Sequence, residues 1–319
     1  MADRFPDICD RIGGTPLVRL RHLAADAPVP VLVKCEHLNP GGSIKDRIAK
    51  AIVEDAEARG VLGGERGSRT IVEATAGNTG IGLALVSASR GYRLVCVMPA
   101  KMSSDKRDAL RLLGAEVHIA PDVGVDDPAN FQNVAARLAA EHGWFLTDQF
   151  RNPANIAVHE RVTAAELLEQ TGGRIGAFVA GAGTGGTLSG VGRRLKREIP
   201  GVRIVLADPV GSGLADWVET GIAGPSTSYG VEGIGAGKPP ANLHREVIDE
   251  VVRIDDAESY ATARRLIAEE GLLVGGSAGT NIAAALRIAR RGGLAGPVVT
   301  VGCDSWDRYR AKSWLQADR

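Results

Sequence analysis

RIGAFVAGAGTGGTLSGVGRRLKREIPGVRIVLADP, residues 174–209, holds the pattern that decides the fold. Apolar residues run almost unbroken through 174–180 and 203–209, and 187–200 between them reads as a helix. A strand that is apolar on both sides is buried on both faces, and such strands joined through helices form a parallel sheet. The glycines fall between the first strand and the helix, where free backbone N–H groups and the helix end favour an anion. Gly181, Gly183 and Gly186 satisfy G-x-G-x-x-G, and Asp208 follows about 20 residues later, as a nicotinamide-dinucleotide enzyme requires. A terminal phosphate monoester fits the loop as well, because Thr184 and Thr187 add hydroxyl donors for its many oxygens.

The same alternation continues outward in both directions. Strands are expected at 29–36, 69–74, 93–99, 115–121, 247–255 and 296–304. Helices are expected at 46–60, 80–91, 103–114, 127–143, 163–172, 256–271 and 277–292. The expected fold class is therefore α/β, with mostly parallel sheets covered by helices. The alternation pauses at DQFRNPANIAVH (148–159), which suggests a division near residue 150. Residues 209–246 show no clear periodicity and read as a lid or interface.

Composition narrows the function. Lys and Arg together number 38, as do Asp and Glu, so the 319-residue chain has no basic excess or basic run to bind nucleic acid. No apolar run approaches about 18 residues, and the charged N-terminus lacks an apolar leader, so neither membrane span nor export is expected. Cys9, Cys35, Cys96 and Cys303 are widely separated, which suits reduced thiols in a cytoplasm rather than disulfides or zinc. The six histidines, His37 and His159 among them, are scattered singly without ligand spacing, and no metal is expected.

NPGGSIKDR (39–47) places Lys45 in the first turn of a helix. Ser43 reads as the N-cap and Asp46 as its capping-box partner. Helical spacing puts Lys45, Ile48, Ala49, Ile52 and Ala56 on one face and Arg47, Lys50, Glu54 and Glu57 on the other. Burial and the positive helix end both disfavour an ammonium there, and a neutral amine forms Schiff bases. A lysine snorkelling past the helix end into water fits the segment too. EATAGNTGIG (73–82) is a second glycine-rich strand-to-helix loop, with Thr75, Asn78 and Thr79 as side-chain donors. LLVGGSAGTN (272–281) is a third, in which Ser277 reads as a helix N-cap.

GGTPLVRL (13–20), NPGGSIKDR, GNTGIGLAL (77–85), GTGGTLSGVGRRLK (183–196), VEGIGAG (231–237) and GGSAG (275–279) occur together in this order. In these motifs the chain resembles the cysteine synthase and cystathionine β-synthase family of pyridoxal-phosphate enzymes (fold type II, similar to the tryptophan synthase β subunit), nearly from end to end. The resemblance implies that Lys45 forms the Schiff base with pyridoxal 5'-phosphate and moves protons. It implies that Asn78 bonds the cofactor's phenolic oxygen, that Gly183, Thr184, Gly185, Gly186 and Thr187 bind its phosphate, and that Ser277 faces its ring nitrogen. Thr75, Ala76, Gly77, Thr79 and Gln149 match residues that hold the substrate carboxylate, and Glu232 is matched to the substrate side. A smaller domain over 41–150 would carry Lys45 and the substrate loop. A larger domain of 1–40 and 151–319 would carry the phosphate loop, with the cofactor between the two.

The implied reaction is β-replacement on L-serine or O-acetyl-L-serine through an aminoacrylate, with sulfide or homocysteine as nucleophile, by a cytoplasmic homodimer acting on small amino acids. Some residues depart from the family pattern. Ala76 stands where serine is usual, and Cys303 where proline is usual; Cys303 reads as a packed strand-end thiol. Glu232 follows the cystathionine β-synthases, where cysteine synthases tend to have Gln. The expectation is a minimal catalytic core, without a haem-binding extension or a C-terminal regulatory domain. A dinucleotide oxidoreductase using GAGTGG stands as the alternative, as does a catalytically silent relative that binds another enzyme.

Overall fold

The structure, a computed structural model, describes residues 6–75, 77–100, 102, 104–124 and 126–316. In chain order its elements are β1 Leu17–Arg19, β2 Val31–Lys34, α1 Lys45–Ala58, β3 Thr70–Ala74, α2 Asn78–Arg90, β4 Arg93–Pro99 and α3 Ser104–Leu112. There follow β5 Glu116–Ala120, α4 Phe131–His142, β6 Phe145–Leu146, α5 Pro153–Val158, a π-helical turn His159–Thr163 and α6 Ala164–Thr171. The remainder comprises β7 Ala177–Ala180, α7 Gly186–Glu198, β8 Arg203–Pro209, α8 Leu214–Thr220, β9 Glu250–Ile254, α9 Asp256–Glu270, α10 Gly276–Arg291 and β10 Val298–Val301.

The chain divides into two compact units. The first joins the segment up to Gly13 to Asn39–Ala154. Its four strands are all parallel, in the order β5-β4-β3-β6. Ala49, Val53, Ile71, Leu83, Cys96 and Leu110 form one buried cluster, and Val72, Val95, Val97, Ala135 and Ala139 form another. Successive strand residues point to opposite faces, so Ile71 and Val72 of β3 enter different clusters and the sheet is covered on both sides. The helix expected from residue 127 begins at Phe131, because the Asn130 side chain caps it by accepting the Gln132 N–H at 3.0 Å.

The second unit joins Gly14–Leu38 to the chain from Asn155 onward. Its strand order is β1-β2-β10-β7-β8-β9, parallel throughout except for β1, which runs antiparallel to β2. The apolar face of α10, including Ala278, Ile282, Ala285 and Ile288, lies in one buried cluster with Val31, Val179, Val205 and Val298. Two helices fall where none was expected: α5 within the pause in the pattern, and α8 within the aperiodic segment. Lys34, fully buried, meets Glu166 of α6 at 2.6 Å, and its ammonium also donates to Gln170 and to the Thr15 carbonyl. Among the described residues no helix is long and apolar enough to cross a membrane, and no cluster of ligating side chains could hold a metal ion.

Candidate active site

In the first unit Lys45 opens α1, half-buried. The cap differs from the sequence expectation. Ile44 occupies the N-cap position, while the Ser43 hydroxyl accepts the Lys45 N–H at 3.2 Å and the Asp46 carboxylate accepts the Gly41 N–H at 2.6 Å. Both side chains still serve the helix start, but their partners lie one and two positions away from those of a capping box. Arg47, assigned by helical spacing to the outer face, is buried instead. Behind Lys45, Gly82 of α2 lets two helices approach closely. A Cβ there would lie 3.1 Å from the Lys45 carbonyl oxygen and 3.0 Å from Ala49 Cβ.

The loop after β3 leads directly into α2. Thr75 Oγ1 accepts the N–H groups of Gly77 and Gly80, at 3.0 and 3.2 Å. With its lone pairs occupied, that hydroxyl has its own hydrogen to donate. Gly77 sits at φ 147°, which a side chain would strain, and Asn78 begins the helix. Thr79 donates to Gln149 Oε1 at 2.6 Å. The Gln149 amide nitrogen donates to Glu73 Oε1 at 2.8 Å and to the Ala74 carbonyl at 3.3 Å. Thr147 donates to the other Glu73 oxygen. Thr75, Gly77, Thr79 and Gln149 thus gather at the carboxyl end of β3, where α/β sheets place ligands. Ala76 lies outside the described residues.

Glu73 escaped the sequence reading. It is 1 % exposed, and burial pushes its carboxyl up to about 7. The available signal was an acid inside the otherwise apolar run TIVEA.

In the second unit the loop after β7 forms a tight cradle. Gly185 has φ 86°, and a Cβ there would lie 2.5 Å from Leu243 N. A Cβ on Gly183 would meet the Gly233 carbonyl at 2.2 Å. The threonines are held from behind: Asn155 Nδ2 donates to Thr184 Oγ1 at 3.0 Å, and Thr187 Oγ1 lies 3.2 Å from His159 Nε2. Asn155 and His159 belong to α5 and the π turn, so the unexpected helix orients the loop. Gly186 then opens α7, a 13-residue helix capped by Gly185 of the same loop, with no side-chain cap on its first N–H groups. A helix end and two hydroxyls held by Asn155 and His159, on a loop whose close backbone neighbours leave its glycines no room for side chains, fit a phosphate dianion.

Ser277 is the second residue of α10 and not its cap, which is Gly275. It is buried, and four residues on, Asn281 accepts the Gly181 N–H at 2.7 Å and so ties α10 to the cradle. Asn281 also donates to the Val301 carbonyl and to Cys303 Sγ. Glu232 pairs with Lys312 at 2.7 Å. Asp208, the residue on which a dinucleotide depends, is fully buried, and its carboxylate accepts the Ala215 N–H at 2.8 Å near the start of α8. Burial pushes its carboxyl up to about 6, and it presents no exposed acceptor to a ribose.

A model of the family described as "Pyridoxal-phosphate dependent enzyme" matches residues 8–304. The chain is 44% identical over 312 residues to mouse cystathionine β-synthase, covering 97% of this chain and 55% of that one. It therefore spans about half the length of that relative. It is 44% identical over 304 residues to cysteine synthase of Staphylococcus aureus, covering 95% and 94%. Among solved structures, O-ureido-L-serine synthase superimposes with a TM-score of 0.89 at 39% identity, over 99% of this chain and 97% of that one. The O-acetylserine-dependent cystathionine β-synthase of Helicobacter pylori gives 0.88 at 34%, over 98% and 99%.

Proposed function

The chain belongs to the family of pyridoxal-phosphate dependent enzymes, and we propose that it catalyses β-replacement on L-serine or an O-activated L-serine such as O-acetyl-L-serine, with sulfide or homocysteine as nucleophile. The observation that carries the cofactor assignment is the glycine loop at the start of α7, whose helix end and two held hydroxyls would suit a terminal phosphate. Pyridoxal phosphate, when bound, draws electrons from the substrate's Cα and so eases loss of the α-proton and the β-substituent.

Gly183–Thr187 would hold the phosphate, Asn78 the phenolic oxygen and Ser277 the ring nitrogen. A neutral hydroxyl there would leave that nitrogen unprotonated and the ring a moderate electron sink, which would suit prompt departure of a β-leaving group. Lys45 would bind the cofactor through its amine, be displaced by the substrate amine, and then carry the Cα proton. Thr75, Gly77, Thr79 and Gln149, with Ala76 between them, would receive the substrate carboxylate. Glu232, held by Lys312, would lie on the substrate side. The family resemblance supports a cytoplasmic homodimer without nucleic-acid or membrane partners.

Borohydride reduction of the cofactor-loaded protein, followed by peptide mass spectrometry, tests the assignment. The label is expected on Lys45; a label elsewhere, or none, rejects it. Serine and O-acetylserine, each offered with sulfide and with homocysteine, identify donor and nucleophile by product mass. No product from any of the four pairs would reject β-replacement and leave the silent-relative reading standing.

A further inference from the structure

Every donor and acceptor along Glu73, Gln149 and Thr79 has a definite direction. An ionised carboxylate only accepts, so Gln149 must turn its amide nitrogen toward Glu73 and its oxygen toward Thr79. Thr79 then spends its one hydroxyl hydrogen on Gln149. In this arrangement neither Thr79 nor the Gln149 nitrogen offers that hydrogen to a bound carboxylate.

We infer that the proton on Glu73 sets the direction of this chain, so that Glu73 is a positioning residue that takes up one proton as the substrate carboxylate binds. The inference rests on the reading of Thr79 and Gln149 as carboxylate-holding residues. The step balances simply. A proton from solvent forms an O–H bond on Glu73 Oε1, and that hydroxyl donates to the Gln149 oxygen once the amide has rotated. The Gln149 nitrogen gives up its long bond to the Ala74 carbonyl and donates to Thr79 Oγ1, and the Thr79 hydrogen turns to the incoming carboxylate, which replaces the lost partner. Thr147 keeps its bond to the second Glu73 oxygen.

Charge acts in the same sense as hydrogen bonding, because a second anion at the loop favours a neutral Glu73. A cavity of about 240 Å³ bordered by Glu73, Asp126, Asp148 and Arg151 gives the proton a way in. The titratable and charged groups facing Glu73 are Asp148 after β6, Asp126 before α4, Arg151 in the cavity wall and Cys96, its register neighbour on β4. Asp148 adds to burial in raising the carboxyl, which is poised at about 7.

The test compares the wild type with Glu73→Gln, a permanently neutral isostere. L-alanine, which has no β-leaving group, serves as the probe, and its affinity is read from the absorbance of the pyridoxal-phosphate-loaded proteins against pH. Above pH 7 the wild type is expected to lose affinity relative to Glu73→Gln by up to about tenfold per pH unit. Calorimetry in two buffers of different ionisation enthalpy should count nearly one more proton taken up by the wild type at pH 8. Equal pH profiles and equal proton counts would overturn the inference. A second measurement needs neither variant nor cofactor: the Gln149 side-chain amide of ¹⁵N-glutamine-labelled wild type should shift with a midpoint near 7. A pH-independent signal also overturns the inference. A midpoint there, with no cofactor taken up by either protein, supports the switch and counts against the functional reading alone.

Discussion

Replacing Glu73 by Gln should make the first unit more stable at alkaline pH, and by an amount that follows from where this carboxyl sits. Burial raises it from an ordinary 4.5 to about 7. Between those values the folded chain keeps a proton that the unfolded chain has released. Stability of the wild type therefore falls as pH rises through the interval, by about 1.4 kcal/mol per pH unit and about 3 kcal/mol in all. Glu73→Gln removes this contribution while preserving the side-chain volume and an acceptor for Gln149. The difference between variant and wild type should grow by about 3 kcal/mol from pH 4.5 to pH 8. Urea unfolding of the cofactor-free proteins, followed by ¹⁹F signals of fluorotryptophan, isolates the effect, since Trp144 is the single tryptophan of the first unit. Parallel stability curves for the two proteins across this range would refute the reasoning, for they would mean that Glu73 is ionised in the fold as easily as in the unfolded chain.

Further outcomes are expected at the other residues of the site. Asn155→Ala removes the donor that holds Thr184 and should weaken pyridoxal phosphate by about tenfold, equivalent to about 1.4 kcal/mol, as read by equilibrium dialysis. Gly185→Ala forces a Cβ against Leu243 at a positive φ; the backbone term alone is about 1–2 kcal/mol, and cofactor retention after gel filtration should fall further than in Asn155→Ala. Lys45→Ala should abolish turnover while leaving noncovalent cofactor binding detectable by fluorescence. Lys312→Ala breaks a partly exposed ion pair and should cost at most about 1 kcal/mol in thermal unfolding, so a large change in substrate KM would assign the Glu232 loop to recognition rather than to stability.

The parallel architecture was legible because its central strands are apolar on both sides. β4 and β8 run over 93–99 and 203–209, where the apolar runs place them. Boundaries drifted where a local bond intervened, as at Asn130. α5 and α8 escaped because six or seven residues span too few turns for a helical period to emerge. Arg47 lies beside the apolar stripe of α1, and helical spacing carries no information about which partner covers the flank. The cradle and the lysine were recognisable as motifs, since glycine runs and a cation at a helix start are local oddities. The groups behind them were not: Glu73, Asn155 and His159 act through contacts to residues 28 to 76 positions away, and only the folded chain brings those together.

The π turn at 159–163 amounts to one residue of phase added to an otherwise helical rod. Upstream of it Asn155, and at its first residue His159, keep their register on the cradle threonines; downstream, Glu166 and Gln170 keep theirs on Lys34. An unbroken α-helix of the same residue count cannot satisfy both sets. Deleting a single residue there would leave an unbroken α-helix with both registers kept, whereas deleting a second would rotate everything beyond it by about 100°, withdrawing Glu166 from an ammonium that has no water to fall back on, at a cost of about 3–5 kcal/mol. The extra residue is thus a vernier between two registers. This segment should therefore tolerate the loss of one residue but not of two, a sharper rule than its loop-like sequence suggests.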